Sequence, residues 1–298
     1  MRGRNNNSKR KPKLKPISHK DDKSKGKAKD KSKSMPRRPD KKMEVPIRDL
    51  NPRKAKPKVD DGLVRLNKYI SNAGVCSRRE ADTLIQTGVI SVNDKIVTEL
   101  GTKVKEDDVI KVDGETISRE KQRYVLLNKP KNFITTMDDP EGRKTVMHLI
   151  KKACRERIFP VGRLDRNTTG LLLFTNDGDL AKRLTHPKHG FRKIYHVELK
   201  EKVKPNHLNM IREGIELDDG MIKADEVDFV GDGKDMHQVG IEIHSGKNRI
   251  VRRIFEHFGY SVKKLDRVMF AGLTKKDVPR GEFRHLTKSE VGFLKMIR

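Results

Sequence analysis

The chain has 298 residues, a formal net charge of +27 and no tryptophan. That length holds two modest domains and a tail, and the charge points to a polyanionic partner, nucleic acid first. No stretch reaches about eighteen consecutive apolar residues, which argues against a membrane-spanning helix. The only cysteines, Cys76 and Cys154, stand far apart, which excludes a disulfide framework and a cysteine-rich zinc site. With no apolar core for a secretory signal at the N-terminus, the expected compartment is the cytoplasm.

Residues 1–60 carry 23 Lys and Arg against 7 Asp and Glu; the remaining 238 carry 46 against 35. The rest of the chain is therefore basic without its tail. Residues 1–61 are rich in Lys, Pro, Ser and Asn and are expected to be disordered, since they cannot bury enough apolar area to offset ordering. Two readings stay open there: an arm that neutralises RNA phosphates, or a solvated tail.

Residues 62–120 form a first module. Leu66, Ile70 and Ala73 fall at helical spacing up to Gly74, and Ser77 with Glu80 has the form of a capping box opening a second helix. Two short strands around Asn93-Asp94 read as a tight hairpin, with further strands at Val104 and over 109–112. The string Arg65-Leu-Asn-Lys-Tyr-Ile-Ser-Asn-Ala-Gly-Val-Cys-Ser-Arg-Arg-Glu-Ala81 resembles the S4 RNA-binding domain. The resemblance implies that Arg65, Lys68, Arg78 and Arg79 touch RNA; a solvated basic face is the plainer alternative.

Residues 121–298 form the larger domain. Tyr124-Val-Leu-Leu-Asn-Lys-Pro130 reads as a strand ended by a turn, and a helix is expected over 144–152. The centre of the chain is Gly162-Arg-Leu-Asp165, followed by Thr169-Gly-Leu-Leu-Leu-Phe-Thr-Asn-Asp-Gly178. One carboxylate stands between Arg163 and Arg166 on a Gly-bounded loop. The run Leu171–Phe174 then predicts a buried strand, and Asn176 or Asp177 a helix cap near Asp179. A strand over 191–200, a helix over 204–213, strands near 221–230 and 236–244 and a helix over about 248–258 follow. This succession favours an α+β fold around a mixed or antiparallel sheet. Neither GxGxxG nor GxxxxGK[ST] is present, so nucleotide-cofactor folds lose support.

The string from Gly162 to Gly178 resembles the catalytic signature of RsuA-type ribosomal-RNA pseudouridine synthases. Tyr124–Pro130 resembles the family's opening motif, and Gly246-Lys-Asn-Arg-Ile-Val-Arg-Arg-Ile-Phe255 its final one. With the S4-like module, the resemblance covers about residues 63–290. The resemblance implies an isomerase that flips a uridine out of rRNA and converts it to pseudouridine without metal or organic cofactor. Asp165 would act at the sugar, Tyr195 would stack on the uracil, and Lys247, or failing it Arg249, would pair with Asp165. Arg163 would fill the space left by the extruded base or simply pair with Asp165. Arg166 would touch a phosphate or simply form loop surface, Arg252 and Arg253 would touch phosphates or solvate their helix, and Ile250 stands where the family usually has Gln or Glu. Similarity of the 139–143 and 168–178 strings favours members acting on the large ribosomal subunit, and the protein is expected to be a monomer. The rivals are a non-catalytic ribosome-assembly factor on the same surfaces and a hydrolase that releases free uracil. His186, His189 and His196 lack zinc spacing and are read as structural.

Overall fold

Apolar residues at helical and strand spacing fold into two cores in sequence, and the computed structural model describes residues 62–297. The expected disordered tail over 1–61 lies outside the described residues. The described residues all belong to one compact unit.

The first core is small. Strand β1 (Val64–Arg65) leads into α1 (Leu66–Asn72), and Gly74 turns the chain with φ +80°. Helix α2 (Arg78–Gln86) opens with the predicted capping box: Ser77 accepts from the Glu80 amide while the Glu80 carboxylate accepts from the Ser77 amide. Strands β2 (Ile90–Val92) and β3 (Lys95–Ile96) pair through Asn93 and Asp94, both at positive φ. β4 (Lys103–Val104) pairs with β1, and β5 (Ile110–Val112) with β6 (Glu115–Thr116) completes the ribbon. Leu66, Ile70, Ala81, Ile85, Ile90, Val104 and Ile110 close this core.

The second core surrounds a nine-stranded mixed sheet. Its elements in chain order are β7 (Tyr124–Lys129), α3 (Met147–Ile150), β8 (Phe159–Pro160), β9 (Thr169–Thr175), α4 (Gly178–Thr185) and β10 (Lys193–Leu199). Then come α5 (Pro205–Glu213), the ribbon β11 (Ile215–Leu217) and β12 (Gly220–Ile222), β13 (Glu226–Phe229) and β14 (Gln238–Ile243). Helix α6 (Ile250–His257), β15 (Val262–Phe270), β16 (Leu273–Thr274), β17 (Phe283–His285) and α7 (Lys288–Met296) end the fold. The strands run β13-β14-β10-β15-β9-β7-β17, antiparallel throughout except where β9 lies parallel to β15.

The run Leu171–Phe174 is continuously apolar because β9 is covered on both faces. Leu172 and Phe174 enter one cluster with α5 and α6, while Leu171 and Leu173 enter another with α4 and α7. Several boundaries differ from expectation. The helix over 144–152 is the single turn α3, and the segment near 221–230 breaks into β12 and β13. Lys263–Arg267 lies within β15; Lys263 and Lys264 pair with Glu198, and Arg267 is buried. No helix among the described residues is long and apolar enough to cross a membrane.

Candidate active site

The loop from Gly162 to Gly170 is held by its backbone, which leaves the Asp165 carboxylate to the solvent side. The Thr135 hydroxyl donates to the Leu164 carbonyl at 2.8 Å and accepts from the Leu164 amide at 3.2 Å. Lys129, fully buried, donates through Nζ to the carbonyls of Pro130, Asp165, Arg166 and Thr168 at 2.8–3.3 Å. Burial pulls this ammonium down to about 8, against the opposing charge of Asp165.

Beyond the loop, β9 comes close to β15. A methyl on Gly170, at φ +103°, would sit 2.2 Å from the Arg267 carbonyl oxygen, so this junction admits only glycine. Asp266 fixes it further, accepting from Thr169 Oγ1 at 2.7 Å and from Arg280 at 2.9 Å.

Asp165 faces two cations from α6. Arg249 Nη1 and Arg252 Nε both lie 3.8 Å from Asp165 Oδ2. Arg249 caps the helix in the left-handed region at φ +49°, and Arg252 follows one turn later, so the two approach one oxygen from the same face. The Arg252 side chain is 11% exposed and that of Arg249 47%. Burial and then the neighbouring Arg249 lower the Arg252 guanidinium, while Asp165 pulls the other way.

Lys247 does not make the pairing expected of it. Its Nζ donates to the Asp219 carbonyl at 2.8 Å and lies 3.4 Å from the carboxylate. Arg253 binds the same carboxylate at 2.6 and 3.0 Å, so Asp219 ties down both cations, and Arg253 first, then Lys247, hold it at about 2. Arg252, read as a phosphate contact, is instead a partner of Asp165. Lys247, in the turn before α6, and Arg253 on α6 reach Asp219 at the β11–β12 turn, while Arg252 reaches Asp165.

Asp165, Lys247 and Arg249 line an open cleft of 720 Å³. Tyr195, 9% exposed on β10, forms one wall, and Arg163 and Arg166 are exposed at the rim. Ile250, at the position where a polar residue was expected, is 5% exposed and packs in the core at the cleft wall. Lys193 and Arg267 also line the cleft, and neither was singled out in the sequence as part of it. A lysine closing an apolar strand just before Pro130 was the signal for Lys129. Three-residue spacing from Arg249 was the signal for Arg252.

In the first module, Arg65, Arg78 and Arg79 are exposed. Lys68 is not free for RNA in this arrangement: its Nζ pairs with Asp179 at 2.7 Å, at the start of α4. Among the described residues no group of three or more His, Cys, Asp or Glu could hold a metal. His196 bonds Gln238 at 2.7 Å, and His186 accepts from the Lys188 amide.

Comparison with known proteins gives two family matches. Residues 123–257 match the RNA pseudouridylate synthase family and residues 64–110 the S4 domain. The chain is 41% identical over 235 residues to ribosomal large subunit pseudouridine synthase B of Bacillus subtilis, covering 78% of this chain and 96% of that one. It is 37% identical to the protein of the same name in Vibrio cholerae, with 78% and 74% covered. It is 42% identical to an uncharacterised RNA pseudouridine synthase of Aquifex aeolicus, with 78% and 93% covered. A crystal structure of a pseudouridylate synthase superposes with a TM-score of 0.56 at 29% identity, over 78% of this chain and 99% of that one.

Proposed function

This chain belongs to the RNA pseudouridine synthase family, with an S4 RNA-binding domain ahead of its catalytic region, and we propose that it isomerises one uridine of large-subunit rRNA at Asp165. The observation that carries this reading is the Asp165 carboxylate, set in the cleft between Arg249 and Arg252 with Tyr195 on the wall. Large-subunit RNA is supported by the names of the relatives in Bacillus subtilis and Vibrio cholerae.

Isomerisation breaks the N1–C1′ bond, turns the uracil and rejoins it through C5. The reacting bond is glycosidic, so a carboxylate beneath the sugar is the group the chemistry calls for. Asp165 either adds to C1′ or takes the C2′ proton. Arg252, with Arg249, orients it and offsets its charge. The Tyr195 ring supports the face of the extruded base, which has to leave the stack to be reached. Arg163, at the rim, is suited to the gap in the RNA, and Arg166 to a phosphate. Arg65, Arg78 and Arg79 give the first module (62–120) an RNA-facing charge, while 121–298 carries the reaction. The proposal takes the protein to be a cytoplasmic monomer.

The test is pseudouridine mapping of rRNA from cells carrying the wild-type protein or Asp165→Asn. One pseudouridine of the large-subunit rRNA should vanish in the variant, while the purified variant still binds rRNA. An unaltered map would favour the assembly-factor reading. Free uracil in the wild-type reaction would favour the hydrolase.

A further inference from the structure

Two cations on the cleft wall have no carboxylate partner among the described residues. Arg267 is 3% exposed; its Nε donates to the Leu171 carbonyl at 2.8 Å and its guanidinium lies 4.7 Å from the centre of the Phe270 ring. Its Nη2 is buried with no hydrogen-bond partner. Lys193 donates to the carbonyls of Phe191, His244 and Ser245. Burial first, and then the charge of Arg267, bring the Lys193 ammonium down to about 8 against the pull of Asp225, and the two cations share one corner of the cleft. A buried guanidinium with an unpaired N–H group is costly, and a second cation beside it adds to that cost. Such a corner is suited to an electron-rich group that arrives with the substrate.

Tyr195 and Arg267 are register partners on adjacent antiparallel strands, next to a bulge, so their side chains rise from the same face. The ring that would support the base and the unpartnered guanidinium are therefore neighbours. Depth separates base from phosphate: Arg163 and Arg166 are exposed at the rim, where the sugar-phosphate chain would pass, and Arg267 is not.

We propose that Arg267, with the positive charge of Lys193 beside it, donates to a carbonyl oxygen of the extruded uracil and stabilises the negative charge the base acquires as its glycosidic bond breaks. This rests on the function proposed above. In that step the N1–C1′ electron pair stays on N1. Asp165 either shares an oxygen lone pair with C1′ or takes the C2′ proton, whose bonding pair becomes the C1′=C2′ bond. The uracil is then an anion with charge spread over N1, O2 and O4, and cationic N–H donors fixed beforehand favour it. When C5 bonds to C1′, the ester oxygen leaves with its pair, or the glycal regains its proton at C2′. The C5 proton is then lost and N1 gains one, which restores a neutral base. The same corner selects uracil over cytosine, because N–H donors accept an O4 partner and oppose an N4 amino group.

The test compares wild type, Arg267→Gln and Lys193→Met in single-turnover cleavage of the N1–C1′ bond. The substrate is an rRNA fragment with uridine or 5-fluorouridine at the target position. Fluorine withdraws electrons, so the departing base needs less help from the protein. Arg267→Gln should slow the uridine substrate about 100-fold. The fluorinated substrate should recover at least about tenfold of that loss, with RNA affinity within about twofold of wild type. Should Arg267→Gln fail to fold, Lys193→Met carries the same comparison with a loss of about tenfold. Equal slowing of both RNAs, or weaker binding at an unchanged rate, overturns the proposal. A wild type that forms no pseudouridine removes the proposed function and this inference with it; product without selective rescue removes the inference alone.

Discussion

Arg252 and Arg249 stand at the same 3.8 Å from Asp165 Oδ2, but Arg252 does so from an 11%-exposed side chain and Arg249 from one that is 47% exposed. At equal distance the better-buried charge interacts through less solvent and counts for more. Arg252→Gln is therefore expected to lower kcat about 100-fold or more, since it strips a half-desolvated carboxylate of its sheltered partner. Arg249→Gln should cost about tenfold or less. Lys247→Ala, which breaks only the link to Asp219, should leave the chemical step near wild type. Single-turnover rates on saturating rRNA fragment rank the three, and a Lys247→Ala defect exceeding that of Arg252→Gln would reverse the assignment.

Lys129 acts on the loop and not on the substrate. Its three N–H groups face four backbone carbonyls, one of them Asp165's own. Lys129→Met keeps the volume and removes every donor, leaving buried carbonyls unpaired. The expected cost is about 3 kcal/mol of stability, with kcat falling further than KM rises because Asp165 loses its fixed position. Thermal unfolding and steady-state kinetics on the same preparation measure both. An unchanged kcat in a folded variant would show that the loop holds itself.

Much of the fold was readable in local chemistry. The capping box at Ser77, the hairpin at Asn93-Asp94 and the Asp177 cap are each decided by residues within four positions of one another. The partners of Asp165 were not readable in the same way. Lys247, Arg249, Arg252 and Arg253 are chemically alike, and what separates them is which face of α6 each occupies and where Asp219 sits, 28 residues before Lys247. Lys129, Lys193 and Arg267 looked like ordinary strand cations, because their importance comes from burial created by strands distant in sequence. Asp165, on the loop before β9, and Tyr195 on β10 line the same cleft, with β15 lying between β9 and β10.

Gly170 is the position where backbone approach admits no side chain. Its missing Cβ leaves room for the backbone of Arg267, and a neighbour that is main chain cannot step aside. Gly170→Ala combines this clash with an unfavourable φ, and a loss of about 3 kcal/mol or more is expected. Gly162→Ala makes the useful contrast. It shares a positive φ of +76°, but its nearest neighbour is a Thr185 methyl at 3.6 Å, so only the backbone strain remains, about 1 kcal/mol. Urea unfolding midpoints should fall in that order.

Acid stability should report on Asp266. Burial pushes this carboxyl up, but hydrogen bonds from Arg280, Lys275 and Thr169 outweigh burial and hold it at about 2, below its usual 3.8. Its side chain is 13% exposed, so solvent screens the interaction little. A depressed carboxylate stabilises the fold above the unfolded value and stops doing so as pH falls through the folded one. The contribution, about 2 kcal/mol, is therefore complete above about pH 5 and drains away between about pH 4 and 2. Asp266→Asn keeps the shape and removes the charge, so it should be less stable than wild type by about that amount at pH 7, with the gap closing below pH 4. Urea titrations of both proteins from pH 7 down to 2.5 measure the gap. If it stays constant across that range, the carboxylate charge is not what fastens the end of the catalytic loop to β15.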